Sequence, residues 1–110
     1  MVIAVPIGPD GQVGGAWGRA ASVAIAHVAE GSVSSWTEHE VGWDAAHDQG
    51  GEGEHHARVV RFLREHDVTD IVAHHMGPGM ARTVAAMGLR VHTPLDADAR
   101  EAAQLLAASA

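Results

Sequence analysis

A chain of 110 residues, 46% of them hydrophobic, with a mean hydropathy near zero, describes one ordinary globular domain rather than a disordered chain. Its formal charge of −7, with arginine as the only strong base, makes it a poor partner for phosphate backbones, which argues against nucleic acid. No apolar run approaches the length of a membrane span, and the absence of cysteine removes disulfides, thiolate nucleophiles and the usual ligands of iron–sulfur clusters.

The first stretch, Val2 to Val5, reads as a buried strand closed by Pro6 and a turn through Gly8-Pro9-Asp10-Gly11. Met1 to Pro6 lacks the basic segment of a secretion signal, so a cytoplasmic location is the expectation. A glycine-rich loop follows through Gly14-Gly15-Ala16-Trp17-Gly18-Arg19-Ala20. Ser22 to Val28 and Val33 to Val41, joined by the Glu30-Gly31-Ser32 turn, predict an antiparallel hairpin whose polar second strand lies near a sheet edge. Gly42 to Glu54 is the longest connection, and long loops in compact domains are usually functional or mobile.

From Glu54 to His66 the period becomes helical. Val59, Val60, Phe62 and Leu63 share one arc of the wheel, and Arg58, Arg61, Arg64 and Glu65 lie opposite. The short apolar run Asp70 to Ala73 suits a strand buried on both faces, as in a parallel sheet. It ends in His74 and His75, and a Gly77-Pro78-Gly79 turn opens a helix to Met87 with Gly88 as its stop. Leu89 to His92 predicts a last strand, and Asp96 a helix cap for a helix to about Ala107. The order β-β-β-α-β-α-β-α, in a single domain over residues 1–110, predicts an α/β fold with a mixed five-stranded sheet flanked by helices.

Several short motifs follow one another along the chain: Val2-Ile3-Ala4-Val5-Pro6, Trp17-Gly18-Arg19-Ala20, the glycine loop into Glu54-His55-His56-Ala57, and His74-His75-Met76-Gly77-Pro78-Gly79-Met80. Together they resemble the dinitrogenase iron–molybdenum cofactor-binding family, small ribonuclease-H-like domains related to nitrogenase cofactor carriers. In that family the second motif more often begins with phenylalanine than with tryptophan. The resemblance implies a ribonuclease-H-like fold and a non-catalytic carrier of a metal cluster, with a cofactor-assembly protein as a possible partner.

The residues support a metal reading by a separate route. Nine histidines are many for this length. A helix that leads into a parallel strand starts near that strand's carboxyl end, where ligands sit in open α/β sheets. His55 and His56, in the first turn, therefore converge on His74 and His75, with the His47 loop close by. The wheel puts His56 in the middle of the apolar arc and His55 at its edge. Adjacent residues diverge on helices and strands alike, so the expected donors are His47, either His55 or His56, and either His74 or His75, with a carboxylate from Glu52 or Asp48. Neutral imidazole suits Zn, Fe, Ni or Cu, and it must be deprotonated to bind, so affinity should fall between about pH 7 and 5.

Gly51, Gly53, Gly77 and Gly79 open two helices whose free N–H groups suit an anion. Met76 and Met80, four apart, could add thioethers but suit helix packing better. Trp17, Trp36 and Trp43 read as core or edge anchors, His27, His66 and His92 as structural residues, and His39 is ambiguous. No nucleophile elbow, P-loop or H-E-x-x-H motif is present, and the first strand carries no acidic metal ligand. The expectation is a binding protein and not an enzyme. An alternative is a metal-free small-ligand or protein-interaction module using the same glycine-lined cleft.

Overall fold

The structure, a computed structural model, describes residues 1–46 and 50–110. Its sheet comprises β1 (Val2–Ile7), β2 (Ser22–Ala29), β3 (Ser32–Glu40), β4 (Asp70–Val72) and β5 (Arg90–His92), and the helices are α1 (Trp43–Ala46), α2 (Glu52–Glu65), α3 (Pro78–Ala86) and α4 (Ala99–Ser109). The strands lie in the order β3-β2-β1-β4-β5. β1 pairs antiparallel with β2 and parallel with β4, and the mixed sheet is completed by antiparallel β2–β3 and parallel β4–β5 pairs. The edge position expected of the polar strand β3 is observed.

Alternation along β1 explains why its apolar run has no polar face. Ala4 belongs to a core shared with Val23, Ile25, Ile71, Val59, Leu63, Met80 and Val84, under α2 and α3. Ile3 and Val5 face the other way, into a second core with Ala24, Ala26, Val72 and the α4 residues Ala99, Ala102, Ala103 and Leu106. Each fully buried Val, Leu or Ile is worth roughly 1.5–3 kcal/mol of transfer free energy, so both faces of the sheet have to be covered.

The differences from the sequence reading are local and physical. β1 runs through Pro6 to Ile7 rather than stopping at the proline. The carbonyl of Pro6 accepts from Gly14 N, and N and O of one extended residue face the same side. The missing N–H therefore points away from the β2 ladder and costs no strand bond. Inside the expected loops lie a 3-10 turn, Trp17–Arg19, and the helical turn α1, because Trp17 and Trp43 are both buried and pack edge-to-face at 5.3 Å. The last helix starts at Ala99, capped by Asp98, whose carboxylate accepts from Glu101 N at 2.9 Å. Asp96 instead accepts from Asp98 N in the preceding turn. The buried side of α2 is turned from the wheel expectation by only a fraction of one residue's step of about 100°: His55, Val59 and Leu63 are buried, whereas His56 and Val60 are only half-buried. The stripe 55–59–63, four residues apart, faces the sheet.

Candidate functional site

At the carboxyl end of β4 the amino ends of α2 and α3 meet the 3-10 turn. Trp17 N donates to the carbonyl of His75 at 3.0 Å, tying that turn to the loop after β4. A cleft of about 530 Å³ opens there, with walls that include Trp17, Arg19, His55, His56, His75 and Arg82. Its floor carries Gly77, Pro78, Gly79 and Met80, the first turn of α3. Gly77 is the N-cap with no side-chain cap, and Pro78 opens the helix, so the N–H groups of the first turn face outward without intrahelical partners.

The expected convergence of the two histidine pairs is thus partly visible. His55, His56 and His75 line one cleft, together with Gly77 and Gly79. His74 is exposed and is not among the residues that line it, because neighbours at a strand's end point apart. Gly53 lines an adjoining shallow groove with His56, Gly79 and Arg82. Gly51 caps α2 through its carbonyl, which accepts from His55 N. His47 and Asp48 lie outside the described residues, as does the side chain of Glu52.

His55 is only 5% exposed and both of its ring nitrogens are engaged. Nε2 donates to the Gly18 carbonyl at 2.8 Å, and Nδ1 accepts from the Arg58 guanidinium at 3.1 Å. A carbonyl only accepts and a guanidinium only donates, so these partners determine the tautomer. Binding a metal through His55 would break one of these bonds. Its observed work is to clamp the 3-10 turn to α2. His56, half-buried, and His75, exposed, line the cleft beside it. Among the described residues no group of three His, Asp or Glu side chains stands ready to hold a metal ion.

Two features of the cleft were not singled out from sequence. Arg19 and Arg82 stand in its walls, and none of the described residues lining it is acidic. In a chain of net charge −7, that concentrates positive potential in one concavity. The signal was present: Arg19 sits inside the Trp-Gly-Arg-Ala stretch, and Arg82 lies four residues beyond Pro78, one helical turn into α3. The second feature is Trp17. Its ring is wholly buried, as an anchor should be, yet among the described residues its Nε1 has no hydrogen-bond partner. Met80 is buried in the core beneath the cleft, and Met76 packs against the same core, so the packing reading of that pair holds.

The match to known proteins agrees with this architecture. The family model described as dinitrogenase iron-molybdenum cofactor covers residues 1–109. The chain belongs to that family. The fold of this family member is also that of the solved structure of PH0822, with a TM-score of 0.77 at 15% identity over 99% of this chain and 92% of that one. At that identity the likeness concerns the fold alone. A search of curated protein sequences found no match. No helix of the described residues is long and apolar enough to cross a membrane.

Proposed function

We propose that this family member is a non-catalytic carrier whose cargo is a metal cluster seated in the cleft above α3. The observation that carries the reading is the meeting of two imidazoles, His56 and His75, with two guanidinium groups, Arg19 and Arg82, at the amino end of a helix. Imidazole supplies ligands to iron or another transition metal such as Zn, Ni or Cu. The arginines and the first turn of α3 offset negative charge on a sulfide- or carboxylate-rich surface. Because the chain has no cysteine, the cargo is gripped by imidazole and charge without a thiolate bond, which suits a load that must be handed on. The reading therefore includes a cofactor-assembly protein as recipient and a cytoplasmic location, and it involves neither nucleic acid nor membrane. It is also in keeping with a ribonuclease-H-like assignment of the β3-β2-β1-β4-β5 sheet.

The test is anaerobic incubation with isolated iron–molybdenum cofactor, followed by gel filtration with metal analysis. Iron and molybdenum should co-migrate with the wild-type chain. A His56→Ala/His75→Ala double variant should lose them, and Arg82→Ala should retain less. Metal retention that is the same in the double variant as in wild type overturns the imidazole site.

A second reading, a metal-free cleft for a small anion, is favoured by the absence of a ready three-ligand cage among the described residues. On that reading Arg19→Ala and Arg82→Ala weaken binding of an organic polyanion such as citrate, and the double histidine variant binds normally.

A further inference from the structure

The other end of α2, at the opposite end of the helix from the cleft's His55 and His56, carries a second pair of imidazoles. His39 lies near the end of the edge strand β3, in register with Val23 of β2, on the sheet face covered by α2. His66 is the C-cap residue of α2. Residues 27 positions apart in sequence thus bring their ring centres to 4.5 Å, with a tilt of 49° between planes. Phe62 stands between them and the core, 5.7 Å from the His39 ring and 4.6 Å from that of His66. Both histidines are half-buried, so each is backed by protein on one side and open to water on the other. Among the described residues no hydrogen bond occupies a nitrogen of either ring.

From this geometry we infer a surface site for a divalent transition ion, chelated by His39 and His66, with water in the remaining positions. Nitrogens about 2.0 Å from a shared ion put two ring centres roughly 4.5 Å apart at a right angle, and roughly 5.2 Å apart at a tetrahedral one. The observed spacing permits such a bridge; because Phe62 and His66 show nearly the same spacing and tilt, 4.6 Å and 53°, it is the open nitrogens of His39 and His66 that argue for chelation. His66 caps the carboxyl end of α2, whose partial negative charge is offset by Arg64 in its last turn. The chain as a whole is negative.

Cu(II) alone is the probe, added to the His56→Ala/His75→Ala variant so that the cleft does not compete. Calorimetry should show one ion bound per chain, and the electron paramagnetic resonance spectrum should show coupling to two imidazole nitrogens. His39→Gln and His66→Gln should each lower the affinity at least about tenfold, since losing one ring turns a chelate into a single ligand. Circular dichroism of each variant checks that the fold is kept. As a second readout on the same His56→Ala/His75→Ala parent, Ni(II) should broaden the ring resonances of His39 and His66 before those of the remaining histidines. Affinity within twofold of the parent in both Gln variants, or broadening that begins at other histidines, overturns the site.

Discussion

Replacing Asp70 by Asn tests the polar anchor on which β4, and with it the cleft, is set. Asp70 is wholly buried, and its carboxylate accepts from Thr69 Oγ1 at 2.6 Å, His92 Nε2 at 2.7 Å, and Arg90 Nε and Nη2 at 3.1 and 3.2 Å. Burial by itself would raise its pKa, but the hydrogen bonds from Arg90, Thr69 and His92, with the Arg90 charge, outweigh it and hold the group below its usual value. Asparagine keeps the shape and one acceptor oxygen while removing the charge and turning the second acceptor into a donor that faces other donors. Arg90 is largely exposed and recovers its hydration, so it adds nothing to the count. Two charge-assisted hydrogen bonds remain, from Thr69 and from a His92 that is partly exposed, so the loss is about 2–3 kcal/mol. For a domain of this size that is a fall in Tm of roughly 10 °C. The sign with pH follows from the lowered pKa. The stabilisation is fully present above the unfolded value of about 3.9 and is lost as the pH falls through the lower folded value, where the carboxyl is protonated and resembles the amide. Urea unfolding at pH 6 should separate the two proteins by the full amount, and at about pH 3 the gap should narrow. A variant within about 0.5 kcal/mol of wild type at pH 6, or a gap that stays constant in acid, would refute the reasoning.

Leu63→Ala, at a position 1% exposed between the sheet and α2, should cost about 2–5 kcal/mol by lost transfer energy plus the cavity left behind, measured as a shifted urea midpoint. Asp98→Ala removes the acceptor for Glu101 N and should cost about 1 kcal/mol. Asp96→Ala should cost measurably less, and the reverse ranking in thermal melts would reassign the cap.

Much of this architecture was written locally in the chain. The unbroken apolar runs of β1 and β4 required burial on both faces, the polar composition of β3 marked an edge, and Pro78 and Gly88 bracketed α3 because a missing N–H suits a helix start and a positive φ suits its stop. The rule that a crossover helix begins near the carboxyl end of the strand it precedes was enough to bring His55 and His56 toward His75. What the sequence could not decide was orientation within each pair. A small rotation of α2 exchanges His55 for His56 on the buried side, and only packing with Val59, Leu63 and the Gly18 carbonyl selects which is buried. The same holds for Trp17 and Trp43, whose mutual burial turns expected loop into a 3-10 turn and a helical turn. The basic walls supplied by Arg19 and Arg82, the Asp70–Arg90–His92 network and the His39–His66 pair arise between residues far apart in sequence. Local propensity carries no term for such encounters; they exist only once the sheet and helices have fixed the distances.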